Sequence, residues 1–241
     1  VMYYAAIVPC LVSSLTALLV ARAFGMHLAP SYTVTEFMEL SPLSMVQVMA
    51  LGVLCAVLSI WFCKATHAAP HLYQRIAPDP VLRAALGGAL VLLLTLLVGD
   101  QSYNGAGDGL IRASLSGNVR PEAFLLKMLF TALTLGAGFR GGEIVPVLSV
   151  GCTFGAAVSP LLSMPASFAG ALAMAATFCG ATNCPMTAIL LAYELFGGQS
   201  LPLYALCIGV SYMLSGYYGL YSEQHIIYSK FRTERIDASA K

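Results

Sequence analysis

The stretch "GAGFRGGEIVP", residues 136–146, lies between two apolar runs and interrupts them with an arginine, a glycine pair, a glutamate and a proline. These are poor residues for crossing a bilayer, so the chain must break here. Gly141 and Gly142 let the backbone turn and let a ligand approach closely. Pro146 falls in the first turn of the helix that follows, where its missing N–H costs little. A helix starting near Gly142 leaves its first N–H groups unpaired and partly positive. Within a membrane such a terminus can hold an anion. Glu143 then has two readings. It is a first-turn acid that complements the helix dipole, or it is functional, because a carboxylate at membrane depth is expensive.

Membrane depth follows from composition. Of 241 residues, 59% are hydrophobic and 10% charged, against about 25% charged in soluble domains. One soluble core cannot hide that much apolar surface, so lipid must cover much of it. An all-α, polytopic integral membrane protein is expected. The net charge of +1 gives no sign of a nucleic-acid partner. The 7 cysteines lie mostly in apolar runs, where free Cys acts as a small hydrophobe. Cys179 and Cys184 lack the further ligands that a zinc site needs. His27, His67, His71 and His225 fall in different segments, so no metal and no cofactor is expected. No Ser/Lys, Asp/Asp or His-rich constellation points to an enzyme.

Working outward, residues 3–24 form an apolar run without the basic start or the small-residue cleavage site of a signal peptide. This reads as an internal helix of a longer protein. Residues 25–42 are a polar connector. Residues 44–76 form one long helix, punctuated by Pro78 and Pro80, and 81–99 span again. "DQSYNGAGDG", 100–109, is an irregular loop. Asp100 and Asp108 invite a phosphate-loop reading that fails for want of the G-K-[ST] ending. Residues 110–117 are too short to span. Residues 122–139, 143–162, 166–180, 185–197 and 201–216 follow, several with fewer apolar residues than a span of about 20 requires. Short segments interrupted by Gly and Pro point to broken helices around a midplane site. Lys230, Arg232, Arg235 and Lys241 make the end of the chain basic and predict a cytoplasmic C-terminus. Lys64, Arg75 and Arg83 put the connector at Pro78 on the same side.

The ordered series of these segments resembles the CLC family of chloride channels and anion/proton antiporters. Gly142-Glu143-Ile144-Val145-Pro146 is similar to the family's G-x-F-x-P motif, which opens a helix facing the central anion. "NCPMTAILLAYELFG", 183–197, is similar to its proline-started helix ending in a glutamate, here Glu194. "GLYSEQHIIYSK", 219–230, looks like the start of its final helix, where a tyrosine hydroxyl reaches the anion; that role falls on Tyr221. "YNGAGDGLI" and "LYQRI" fit the same order.

The resemblance implies an anion site made of Gly142, Glu143, Ile144, Val145 and Tyr221, with Glu143 the proton-coupling candidate. It implies residues 1–24 as the last helix of a first repeat, 43–216 as the second inverted repeat, and 220–241 as terminal helix and cytoplasmic tail. The first repeat's G-S-G-x-P and G-[KR]-E-G-P segments are absent, so an N-terminal half of the transporter is an implied partner. A homodimer in the cell membrane is implied too, moving chloride or fluoride. Ile144 replaces the motif's Phe and an acid precedes it, which favours the fluoride/proton branch. The alternatives are a voltage-gated chloride channel of the same family and a different broken-helix carrier. Tyr217 and Tyr218 read as interfacial aromatics, Glu194 as a packing residue, and Arg140 as a residue snorkelling to the interface.

Overall fold

A computed structural model describes residues 6–26 and 32–240. His27, Lys241 and the first residues of the opening run lie outside them. Among the described residues the order is α1 (Ile7–Ala23), α2 (Pro42–Ile76), α3 (Pro80–Val98), α4 (Asp108–Leu115), α5 (Ala123–Gly136), α6 (Ile144–Val158), α7 (Ala166–Thr182), α8 (Pro185–Phe196), α9 (Leu201–Leu214), β1 (His225–Tyr228) and β2 (Arg235–Ser239). The helix starts follow local chemistry. At α2 the Ser41 hydroxyl accepts the Ser44 N–H at 3.1 Å and the Ser44 hydroxyl accepts the Ser41 N–H at 2.9 Å. At α3 the Asp79 carboxylate accepts the Val81 N–H at 3.0 Å, with Pro80 in the first turn. Prolines also open α8 and α9, where their fixed φ suits a helix start.

The centre of the bundle is α7, in which every residue from Ser167 to Thr182 is buried. Its alanines and glycines admit close neighbours. A Cβ on Gly151 of α6 would lie 2.7 Å from the Ala173 carbonyl oxygen, and one on Gly155 would overlap that of Ala169. On the other side α2 meets α9 as closely, since a Cβ on Gly52 would lie 2.9 Å from the Cys207 carbonyl oxygen. Ser211 of α9 donates to the Ala176 carbonyl at 2.8 Å. Small residues and hydroxyl-to-backbone bonds hold helices together where lipid removes the usual hydrophobic drive.

The apolar surface faces outward. α1 has no buried residue and α3 buries only Gly87, while Leu92, Leu93, Leu96 and Leu97 are exposed. By length and composition α2 and α3 can cross a membrane, and six shorter apolar helices of 10–17 residues accompany them. This is the mixture of full spans and broken helices that the segment lengths predict.

The C-terminus departs from expectation. Residues 220–240 contain no helix; β1 and β2 pair antiparallel, with Ile226 opposite Ala238 and Tyr228 opposite Arg235. Ile226, Ile227 and Tyr228 are β-branched and aromatic residues that fit a pleated surface better than a helix. Ser229 turns the chain, its hydroxyl accepting the N–H groups of Phe231 and Arg232 at 3.3 and 3.2 Å. Among the described residues, the terminal helix expected over 220–241 is thus replaced by a hairpin of His225–Tyr228 and Arg235–Ser239.

Candidate anion site

The chain leaves α5 at Gly136 and reaches α6 through Ala137–Gly142, with Gly138 at φ +95°. Glu143 is the residue that caps α6, one position after the expected start, and its side chain makes no capping hydrogen bond. The first bond of α6 runs from the Val147 N–H to the Glu143 carbonyl at 3.1 Å. Pro146 supplies no donor, so the N–H groups of Ile144 and Val145 carry the unpaired positive end of the helix.

Tyr221 is brought to this end by its neighbours. The Leu220 N–H donates to the Ala181 carbonyl at 2.9 Å, and the Leu220 carbonyl accepts from His67 Nε2 at 2.9 Å. Gln224 closes a turn onto the Tyr221 carbonyl at 3.0 Å and donates from Nε2 to the Thr182 carbonyl at 3.0 Å. Asn183, in the left-handed conformation that ends α7, donates to the Tyr218 carbonyl at 2.9 Å. The tyrosine thus sits in a turn, not at a helix start. No helix dipole accompanies it, which corrects the expectation of a second terminus beside Tyr221.

The two parts meet. A cavity of about 530 Å³ is lined by Gly141–Val145 on one side and Leu220–Glu223 on the other. All five residues picked out from the sequence, Gly142, Glu143, Ile144, Val145 and Tyr221, line it. Tyr221, Ile144 and Val145 are 48%, 41% and 38% exposed, so the cavity is open. Its chemistry joins two uncommitted backbone donors, a phenol and two carboxylates, those of Glu143 and Glu223. Such a set can hold a small anion beside a group that exchanges a proton.

Other residues have simpler fates. Asp100 accepts the Ser102 hydroxyl and N–H at 2.6 and 2.8 Å, which hold its carboxyl below the usual range. Asp108 accepts from Arg112 Nε at 2.8 Å and the Tyr32 hydroxyl at 2.7 Å, which lower it likewise. The two aspartates of the Gly/Asp loop are therefore occupied by neighbours within the protein, Ser102 for Asp100 and Arg112 and Tyr32 for Asp108. Glu194, expected to pack, is exposed on α8. Tyr217 is more than an interfacial ring, since its hydroxyl lies 3.0 Å from the Ser229 hydroxyl. Cys179 and Cys184 are free thiols, and no His/Cys/Asp/Glu group suited to a metal occurs among the described residues.

Sequence reasoning missed the supports. In the sequence His67 is a lone histidine and Lys230 one of several positive charges. Lys230 Nζ donates to Asn183 Oδ1 at 2.6 Å, the Tyr212 carbonyl at 2.8 Å and Ser215 Oγ at 3.1 Å. It also stands 4.2 Å from the Tyr212 ring centre. Burial pushes this ammonium down to about 8. The ammonium pins the hairpin to the ends of α7 and α9.

Comparison with known proteins identifies the family and the fold. The voltage gated chloride channel family model matches residues 2–216. A chloride/fluoride channel protein of Pseudomonas syringae pv. tomato is 33% identical over 235 residues, covering 95% of this chain and 52% of that protein. The H(+)/Cl(-) exchange transporter ClcA of Vibrio parahaemolyticus is 28% identical over 189 residues, covering 70% of this chain and 40% of that protein. The chain thus spans about half the length of its nearer relatives. The crystal structure of a CLC-type fluoride/proton antiporter superposes with a TM-score of 0.86 at 27% identity, covering 90% of this chain and 55% of that one. A largely helical membrane fold that superposes on that antiporter, and a family match over most of its length, make this chain a member of the voltage-gated chloride channel (CLC) family.

Proposed function

We propose that this chain forms the second-repeat half of a transporter that exchanges a small halide, fluoride or chloride, for protons across the cell membrane. One observation carries the reading: Glu143, at the start of α6, and Tyr221 line the same cavity. An acid in the family's G-x-F-x-P position, together with relatives named for fluoride, favours fluoride as the ion. The helix end would stabilise the halide and Glu143 would carry the proton. Helix starts from an N-terminal half would complete the ion's coordination, and the assembly would be a homodimer. Its contacts would include α1, α8 and α9, whose outer faces carry exposed apolar residues such as Leu15, Leu190 and Met213. The hairpin would be cytoplasmic. Lys230, Arg232 and Arg235 make the hairpin basic, and excess positive charge favours that side.

Halide titration of the purified chain by calorimetry tests the site. Fluoride or chloride should bind, and Tyr221→Phe and Glu143→Gln should each change the affinity. Binding indifferent to both changes would remove the cavity from the ion's path. Proton-coupled halide flux into liposomes, measured on the transporter that contains this sequence, tests the exchange itself.

A further inference from the structure

Two helices able to cross a membrane, α2 and α3, are joined by the short turn Ala77–Asp79. With 19 residues α3 is just long enough to span, so its start stands at the membrane surface. Within one turn of that surface two polar groups are left over. The Tyr73 hydroxyl of α2 and Nε of Arg83 of α3 are buried and have no hydrogen-bond partner among the described residues. Tyr73 as a whole is 8% exposed. Buried polar atoms are nearly always satisfied, so two orphans at one helix junction call for a ligand.

Both groups flank the end of α5. A Cβ on Gly136 would lie 3.1 Å from the Tyr73 ring, and one on Gly87 would overlap that of Ala137 and lie 3.6 Å from the Tyr73 hydroxyl oxygen. A Cβ on the next residue, Gly138, would lie 3.7 and 3.8 Å from Arg83 Nη2 and Nε. Gly138, at φ +95°, puts no side chain where the guanidinium lies.

Arg83 has no counter-charge here. The ion pairs among the described residues are Arg112–Asp108, His225–Asp237 and Arg235–Asp237. Asp79, the one acid between residues 64 and 99, accepts the Val81 N–H at 3.0 Å. Arg75 lies in the last turn of α2, so two arginines stand against one acid and the junction is net positive. The flank around it is apolar, with Leu72, Ile76, Val81, Leu82 and Leu86 exposed. A free anion has no use for such a flank, whereas acyl chains do. An arginine fork and a phenol match phosphate oxygens, and basic pockets between membrane helices hold lipid head groups.

We propose that the α2–α3 junction binds an anionic phospholipid. Its phosphate accepts from Arg83 and Tyr73, and its acyl chains lie along the outer face of α3. The head group then rests against the bend by which α5 leads to α6. This site does not depend on the transport reading.

Melting of the purified chain in an uncharged detergent tests this, with phosphatidylglycerol, phosphatidylcholine and inorganic phosphate added in turn. Native mass spectrometry measures the lipid retained. Phosphatidylglycerol should raise the melting temperature and stay bound, and neither of the others should match it. Arg83→Gln should weaken phosphatidylglycerol binding at least about tenfold, as loss of a charge-assisted contact implies. Tyr73→Phe, which keeps the ring, should weaken it about 2- to 10-fold. Arg232→Gln, on the hairpin, should bind as the wild type does. Phosphatidylcholine bound equally well overturns the proposal, as does lipid held as firmly by Arg83→Gln as by the wild type. An equal shift from inorganic phosphate overturns it too, since the site then takes a free anion. An equal loss in Arg232→Gln would mean attraction to basic surface in general and has the same result. Where Arg83→Gln fails to fold, Tyr73→Phe decides.

Discussion

His67 Nε2 lies 2.9 Å from the carbonyl oxygen of Leu220, joining residues 153 positions apart. The carbonyl can only accept, so the ring nitrogen carries the proton. Leu220 is then held from both ends, by Ala181 at its N–H and by His67 at its oxygen. Since Tyr221 follows directly, this clamp sets where the phenol stands relative to Glu143. α2, which contributes no lining residue to the cavity, positions the site from behind.

Removing the clamp should loosen the tyrosine without dismantling the bundle. His67→Ala is expected to cost about 0.5–1.5 kcal/mol, the net worth of one hydrogen bond, read as a lower melting temperature in detergent. Hydrogen exchange around Leu220–Ser222 should rise, while that in α7 stays unchanged. His67→Gln, which keeps an N–H donor, should recover part of the loss. Unchanged exchange at 220–222 would show that Ala181 and Gln224 suffice.

Lys230 predicts a pH dependence. Burial lowers its ammonium to about 8 in the folded chain, against about 10.4 for an unperturbed lysine. Between those values the unfolded chain binds the proton that the folded chain has released. Stability therefore rises with pH from about 8 to about 10.4 and is flat below. Melting curves between pH 7 and 10 should show that rise in the wild type and a smaller one in Lys230→Met. The same variant should free the hairpin from Asn183 and Ser215, making residues 225–239 more protease-sensitive at every pH. Equal slopes in the two proteins would mean that Lys230 does not titrate in this window.

The elements legible in the sequence were those that local chemistry writes. Pro80 and Pro185 mark helix starts, and the glycine pair with Pro146 marks the break, while the caps at Ser41 and Asp79 emerge only in the structure. The five cavity residues follow from that break and from the ordered series of motifs. What sequence left unreadable is long-range. Nothing near His67 announces Leu220, and nothing near Lys230 announces Asn183, because those bonds exist only once α2, α7 and the tail are packed. The hairpin is a different case. Ile226-Ile227-Tyr228 carried a local preference for strand, and resemblance to a terminal helix outweighed it.

The close crossing of α6 and α7 gives a stability test. Gly155→Val puts three carbons where the Ala169 carbonyl and the Ala173 side chain already stand. The helices must part, and a destabilisation of about 1–3 kcal/mol is expected from overpacking. Gly109 is the control: a Cβ there meets nothing within 4 Å, so Gly109→Ala should be neutral or slightly stabilising. Equal melting temperatures for Gly155→Val and the wild type would show that the crossing is looser than the backbone distances imply.

Tyr221→Phe keeps the ring and removes only the hydroxyl. Halide affinity should fall about 2- to 10-fold, as one hydrogen bond of about 0.5–1.5 kcal/mol predicts. The melting temperature should hold, because the side chain is 48% exposed and contributes little to packing. Calorimetric titration with fluoride and with chloride reads this directly. An affinity equal to that of the wild type would take Tyr221 out of the ion's shell.

Under the proposed exchange, Glu143 is the residue that would tie the two ions together. Its carboxylate stands at the start of α6 without capping it, so it is not committed to the N–H groups a halide would use. A halide arriving at those N–H groups meets a negative charge beside it, and the repulsion is relieved if the carboxylate takes up a proton. By linkage the same relation runs in reverse, so a protonated Glu143 holds the halide more firmly. Halide binding in a weakly buffered solution should therefore draw protons from it, read with a pH electrode. Glu143→Gln preserves the size of the side chain and cannot titrate, so its halide binding should proceed with no proton uptake and with weaker dependence on pH. In the transporter that contains this sequence, the same change should uncouple proton movement from the halide gradient while the protein stays folded. Proton uptake that survives Glu143→Gln would pass the coupling to another acid of the cavity, of which Glu223 is the candidate. It would leave Glu143 as an acid that only complements the dipole of α6.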